Sequence, residues 1–258
     1  MTLRVAVIQH DIVWESRDES LAHLEPKIAS AAAAGARLIV LSEMFAVGFS
    51  MNVAVTAEPA DGPTTQWLCD QARRHDTWVG GTVPVRVEGA PLPFNTFVLA
   101  GPAGELHSYQ KIHPFTYGGE RAAFDAGTDV LTVDVDGVRV TPFICYDLRF
   151  ADLFWEAAAG TDLYVVSANW PETRRRHWTT LLSARAIENQ AYVAGCNRVG
   201  AGGNLTYVGD SAVVSPMGDV LAYAAEVETT LLVDVDPGRV AEIRERLPFL
   251  PDRRPPRH

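Results

Sequence analysis

Glu43, Lys111, Cys145 and Asn169 each stand where an apolar stretch of the chain ends, after residues 37–42, 105–110, 138–144 and 162–168. Taken singly, each residue type has an ordinary role. A glutamate or lysine closing a strand is usually a solvated charge. An asparagine before a tryptophan is usually a turn residue, and a free cysteine a small buried hydrophobe. Taken together, they are the parts of a covalent acyl-transfer site that needs no histidine. A carboxylate beside a thiol can take its proton. An ammonium at the same point can lower the thiol pKa and later hold an oxyanion. In sheet proteins with helices outside, sites gather where strands end.

The stretch around the cysteine is the most informative. After an Asp136-Gly137 turn signal, Val138, Val140, Phe143 and Ile144 read as a buried strand that stops at Cys145. Asp147 is an N-cap type of residue, and Phe150, Leu153, Phe154 and Ala157 then recur at helical spacing. A thiol at such a corner lies at the rim of a sheet, as in a nucleophile elbow. The free N–H groups of the coming helix would favour a thiolate or an oxyanion there. Cys69, inside a helical pattern, and Cys196, inside a strand pattern, read as buried and inert. His113 invites a Cys–His dyad, but no Asn or Asp arrangement supports one. His177, before Trp178, reads as a packing residue.

The elements that must position these residues alternate. Strands are expected at 4–9, 37–43, 78–83, 94–100, 105–110, 130–135, 138–144, 162–167, 192–197, 205–215, 220–224 and 229–235. Helices are expected at 19–34 (with Pro26 inside), 62–75, 147–159, 173–189 and 237–246. Leu38-Ile39-Val40-Leu41 does not alternate, so both of its faces should be covered. Residues 112–127 form a long irregular connection holding His113, Tyr117 and Glu120, and connections of that length are usually functional. The pattern predicts an α/β fold of two mixed sheets packed face to face with helices outside, as a single domain over 1–258. From about residue 248, four prolines predict an extended tail that docks on a partner subunit.

Composition narrows the function classes. The chain has 258 residues, 47% hydrophobic and 21% charged, which is ordinary globular make-up. A net charge of −10 argues against non-specific nucleic-acid binding. It leaves room for an anionic substrate held by local arginines. No apolar run is long enough for a membrane span, and a strand pattern begins at once with no leader, so a cytoplasmic location is expected. Three distant cysteines without CxxC spacing fit a reducing compartment and neither a disulfide framework nor a zinc site.

Leu41-Ser42-Glu43-Met44-Phe45, Tyr109-Gln110-Lys111-Ile112-His113 and Phe143-Ile144-Cys145-Tyr146-Asp147-Leu148-Arg149-Phe150 resemble, in order, the motifs of the nitrilase superfamily of carbon–nitrogen hydrolases. The resemblance runs from Arg4 to about Val235. Ala168-Asn169-Trp170-Pro171, the run 185–193, Asn197-Arg198-Val199-Gly200 and Gly209-Asp210-Ser211 look like the omega-amidase branch. The resemblance implies a four-layer αββα sandwich that dimerises into an αββααββα stack. It implies Glu43 as general base, Lys111 as electrostatic stabiliser and Cys145 as nucleophile, with Glu120, nine positions after the lysine, as a fourth member. It implies no cofactor and no metal. The expected reaction is hydrolysis of the terminal amide of small 2-oxo acid amides such as 2-oxoglutaramate and 2-oxosuccinamate. An N-carbamoyl amidohydrolase or another short-chain amidase would use the same triad. A silent binding protein on the same fold would not need to retain these four residues.

For substrate binding, the backbone N–H of Tyr146 is expected to face the oxyanion. A substrate carboxylate needs a guanidinium fork, from Arg149 and one of Arg174, Arg175 or Arg176; Arg149 could instead pair with Asp147 or Asp152. Asn169 completes the polar set, and Phe45, Phe49, Phe115 and Trp170 are expected to wall the pocket.

Overall fold

In the computed structural model, which describes residues 2–254, the two faces of the first strand, β1 (Leu3–Gln9), belong to different cores. Leu3, Val5 and Val7 pack between two sheets, while Ala6 and Ile8 pack under helices. Period-two side chains that are apolar on both faces require a cover on both faces.

The first sheet adds β2 (Leu38–Val40), β3 (Glu58–Pro59), β4 (Trp78–Arg86), β5 (Phe94–Ala100) and β6 (Leu106–Gln110). The second contains β7 (Val133–Val135), β8 (Val138–Ile144), β9 (Leu163–Ser167), β10 (Tyr192–Cys196), β11 (Val199–Gly202), β12 (Leu205–Val214) and β13 (Val220–Ala225). Then β14 (Thr229–Val235) returns to the first sheet, antiparallel to β1. The strand orders are β14-β1-β2-β4-β5-β6, with β3 beside β4, and β11-β12-β10-β9-β8-β7, with β13 beside β12. Both sheets are mixed: β1–β2–β4 and β8–β9–β10 run parallel, β3 is also parallel to β4, and the other pairings are antiparallel.

The helices are α1 (Arg17–Ala33), α2 (Val53–Thr56), α3 (Pro63–His75), α4 (Glu120–Ala123), α5 (Ala151–Ala157), α6 (Arg175–Asn189) and α7 (Pro237–Arg246). Leu24 and Ile28 of α1 and Leu68 and Ala72 of α3 cover the outer face of the first sheet. Trp178, Leu182 and Ala186 of α6 cover the second. Gly195 lets α6 approach: a Cβ there would lie 2.6 Å from Leu182. Between the sheets, Val5, Val40 and Phe97 share one core with Val140, Val165 and Val193. The sheets are also cross-bonded. The Ser167 hydroxyl donates to the Leu41 carbonyl (2.6 Å), and the Cys196 thiol to the carbonyls of Ile8 (3.4 Å) and Val40 (3.5 Å). The architecture is therefore the expected α/β sandwich of two mixed sheets with helices outside.

Several local expectations are corrected. The strand expected over 37–43 ends at Val40, because residues 41–44 bend out of the sheet and Met44 is left-handed (φ 44°). Asp147 is not the N-cap of the α-helix that follows; its carboxylate accepts the Ile144 N–H at the start of a short turn. Residues Cys145–Arg149 form a 3₁₀ turn, and α5 starts only at Ala151 after Phe150. Short β3, β11, α2 and α4 went unforeseen. The tail is not simply extended: Leu250–Asp252 turn, and Arg253 lies over Trp155 (4.9 Å to the ring centroid) and donates to Asn189 Oδ1 (2.7 Å). It docks on its own chain as far as described, and 255–258 lie outside the described residues.

Candidate active site

Glu43 sits just past β2, where the chain bends out of the first sheet and touches the segment that follows β9. Its carbonyl accepts from the Asn169 side-chain amide (2.5 Å), and the next N–H, of Met44, donates to Thr82 Oγ1 (2.7 Å). Gly81 of β4 makes room for this bend, since a Cβ there would meet the Phe45 ring at 2.6 Å. Lys111 follows β6, and its N–H donates to the carbonyl of Asn95 on β5 (2.9 Å). Glu120 opens α4 after the left-handed Gly119 (φ 79°).

The three charged side chains meet with no exposed surface. Lys111 Nζ donates to Glu43 Oε1 (2.8 Å) and to both oxygens of Glu120 (2.8 and 3.0 Å). The Asn95 amide donates to Oε1 of Glu43 (2.8 Å) and of Glu120 (2.9 Å). The N–H of Phe115 completes Glu120 (2.6 Å), and the N–H of Asn169 reaches Glu43 Oε2 (2.9 Å). Burial works against the Lys111 ammonium, but Glu120 and Glu43 outweigh it and hold its pKa above the usual lysine value.

Cys145 brings the sulfur to this cluster from the second sheet. It is left-handed (φ 44°), a conformation that costs a non-glycine residue about 1–3 kcal/mol and clusters at functional sites. Its thiol lies 4.0 Å from the Asn169 carbonyl. The electrostatics reverse the sequence expectation of a lowered thiol pKa. Burial pushes it well above the ordinary range and Glu43 adds to this, while Lys111 only partly opposes. A neutral thiol beside the Glu43–Lys111–Glu120 cluster is the resting arrangement.

Asp147 stabilises this corner from beneath. Fully buried, it accepts from the Tyr109 hydroxyl (2.8 Å) and from the N–H groups of His113 (2.9 Å) and Ile144 (3.1 Å). The His113 ring stacks on Phe150 at 3.6 Å, so no Cys–His dyad forms.

In front of the thiol lies a cavity of about 390 Å³. Tyr146, Arg149, Asn169, Trp170, Phe115 and Arg174 all line it, as does Phe49. Phe45 does not; it faces the helix layer against Trp67. Arg149 lies over Trp170 (4.7 Å) and donates to His177 Nδ1 (3.1 Å), with no ion pair to Asp147 or Asp152. Arg174 lies over Phe115 (5.3 Å). Among the described residues, neither guanidinium pairs with a carboxylate. Arg175 is taken by Asp210 (2.8 Å), and Arg176 points to solvent.

Sequence reasoning missed Trp14, Met51, Leu205 and Tyr207 on the cavity wall, and Asn95 behind it. Asn95 had a signal: asparagine is depleted in strands, and inside the apolar run Phe94–Ala100 it must find partners.

This fold and this buried Glu–Lys–Glu cluster behind a strained cysteine define a hydrolase of amide carbon–nitrogen bonds. Residues 4–245 match the Carbon-nitrogen hydrolase family, and the chain belongs to it. It is 37% identical over 253 residues to the omega-amidase YafV of Escherichia coli (strain K12), spanning 97% of this chain and 96% of that protein. It is 32% identical over 256 residues to the 2-oxoglutaramate amidase of Bacillus subtilis (strain 168), spanning 98% of each. Among solved structures, a CN-hydrolase superfamily protein from Xanthomonas campestris with an arsenic adduct in its active site superposes with a TM-score of 0.93. It is 35% identical and covers 100% of this chain and 99% of that one. Among the described residues no helix is long and apolar enough to cross a membrane.

Proposed function

We propose that the protein is an omega-amidase that hydrolyses the terminal amide of small 2-oxo dicarboxylic acid monoamides, such as 2-oxoglutaramate and 2-oxosuccinamate. One observation carries this reading: two unpaired guanidiniums, Arg149 and Arg174, share a cavity with a thiol that backs onto a carboxylate–ammonium cluster. Such a cavity suits a short ligand with an anionic end and an uncharged amide at the other.

The reaction follows from the groups. Glu43 takes the Cys145 proton as sulfur attacks the amide carbon. The Lys111 ammonium and the Tyr146 N–H hold the tetrahedral oxyanion. Protonated Glu43 passes its proton to the leaving nitrogen, and ammonia departs from a thioester. Glu43 then activates a water that attacks the thioester carbon, and the carboxylic acid and the thiol are regenerated. Glu120, with both oxygens on Lys111, keeps the ammonium charged and in place rather than moving protons. Phe115 and Trp170 clamp the substrate's carbon chain. Base action contributes about 10²–10⁴-fold and one oxyanion donor about 10²–10³-fold. The whole chain, 1–258, works as a single domain, in the cytoplasm, as a homodimer without a cofactor.

The test is ammonia release from a panel of 2-oxoglutaramate, 2-oxosuccinamate, glutamine, N-carbamoyl-β-alanine and a simple nitrile. The 2-oxo acid amides are expected to be turned over fastest. Turnover of the carbamoyl compound alone would overturn the assignment in favour of a carbamoylase.

A further inference from the structure

Asn95 is 1% exposed, lies on β5, and is absent from the cavity wall. Both of its amide contacts are carboxylate oxygens, Glu43 Oε1 at 2.8 Å and Glu120 Oε1 at 2.9 Å. Ionised carboxylates only accept, so the nitrogen must face them and the orientation of the amide is fixed. Its oxygen is left buried with no hydrogen-bond partner. An orphaned buried acceptor is costly and rare. A side chain kept only to fill the strand would not be held in that state.

The bonds to Glu43 divide unevenly between its two oxygens. Oε1 accepts from Lys111 Nζ and from the Asn95 amide, both at 2.8 Å. Oε2 accepts only the Asn169 N–H, at 2.9 Å. With Oε1 saturated, the free lone pair of the carboxylate is on Oε2, the oxygen turned to the Asn169 segment whose carbonyl the thiol also approaches. We propose that Asn95 is a positioning residue that pins Glu43 Oε1 and thereby aims Oε2 at the Cys145 thiol as the proton acceptor. Its neutral amide separates the carboxylates of Glu43 and Glu120 without adding charge to a cluster that already sets two anions against one ammonium. The inference rests on the reading of Glu43 as the general base.

The experiment compares Asn95→Ala and Asn95→Asp in the full-length enzyme with 2-oxoglutaramate as substrate, and includes Glu43→Gln. In Asn95→Ala, kcat is expected to fall roughly 10- to 100-fold, the penalty of a misplaced reacting group, with KM little changed. The acid limb of the kcat profile is expected to move to higher pH. The charged and titratable groups that face Glu43 are Lys111, Glu120 and Cys145, with Asp147 also acting on Lys111. Asn95→Asp, although isosteric, is expected to be slower still at neutral pH, because it sets a third carboxylate against the other two. A purely space-filling role gives the opposite order. Asn95→Asp being the faster of the two, or Asn95→Ala keeping kcat and its acid limb while losing only thermal stability, would overturn the inference. Should Asn95→Ala be recovered unfolded, Asn95→Ser carries the same comparison. Glu43→Gln must abolish turnover: if it does not, the base reading itself falls, whereas an inactive Glu43→Gln beside a normal Asn95→Ala sinks only the role of Asn95.

Discussion

The two sides of Cys145 are built differently. Behind it, Glu43, Lys111 and Glu120 have no exposed surface, and every one of their charged groups is matched by a donor or acceptor within about 3 Å. In front, Arg149 and Arg174 are half-buried, rest on aromatic rings and have no carboxylate partner among the described residues. The rear residues stand at strand ends or are bonded to them; the front residues come from connections and short turns. Charge that is complete within the protein is scaffold and chemistry together. Charge left incomplete, on the function proposed above, is where the carboxylate of the substrate binds. The same fold can thus keep one reaction while its front wall sets which amide is accepted.

The sharpest way to test this division is to break the rear. Lys111→Met leaves two buried carboxylates without their cation. Turnover is expected to vanish, and stability to fall by about 3–5 kcal/mol, read by urea denaturation. An active, stable variant would show that the rear is not the catalytic scaffold. A smaller effect is expected in front. Arg149→Met should raise KM for 2-oxoglutaramate about 10- to 100-fold, the worth of one charge-assisted hydrogen bond. An uncharged aliphatic amide and the melting temperature should be little affected. Equal losses on charged and uncharged amides would mean that Arg149 shapes the cavity and binds no carboxylate.

The last effect touches stability alone and concerns His10, just past the end of β1. His10 is fully buried, bonded at Nδ1 to the Ile8 carbonyl (3.2 Å). Burial lowers its pKa to about 4, outweighing the bonds to the Ile8 and Phe45 backbone that favour the charged ring. The folded protein therefore binds fewer protons at this site than the unfolded chain between the ordinary histidine value and pH 4. Its stability should be full above about pH 6.5 and decline as the pH falls toward 4, by about 3 kcal/mol at most. His10→Gln should flatten that part of the stability profile, measured by denaturation across pH 4–7. A profile unchanged by the substitution would assign the acid sensitivity to other groups.

Much of the scaffold was legible from pattern alone. Non-alternating apolar runs such as Leu38–Val40 announced strands covered on both faces, and the layers follow from that. Glu43, Lys111 and Cys145 were legible from strand ends and motif order, and Glu120 only through the family resemblance, nine positions after the lysine. What failed to show had no periodic signature. Met44 turns left-handed after Glu43, which sends Phe45 to the helix side, and nothing in the local residue types fixes that turn. Leu205 and Tyr207 reach the cavity only because the strand order β12-β10-β9-β8 sets them in the same sheet as the strands that lead to Asn169 and Cys145, a relation between residues that are far apart in the chain. The thiol was expected to be acidic because an ammonium was nearby. Depth of burial, which composition does not report, decided the opposite.

Asp147 has a mechanical consequence. By gripping Tyr109 and the His113 backbone on one side and the Ile144 backbone on the other, it rivets the terminus of β6 to the terminus of β8. The strand ends that lead to the amine and to the sulfur are thereby tied through a single buried carboxylate. The cavity rim carries no such tie at Tyr117 and Leu205, which stand exposed, so a change of ligand shape can be met there by substitution without disturbing the carboxylate that joins the two strand ends.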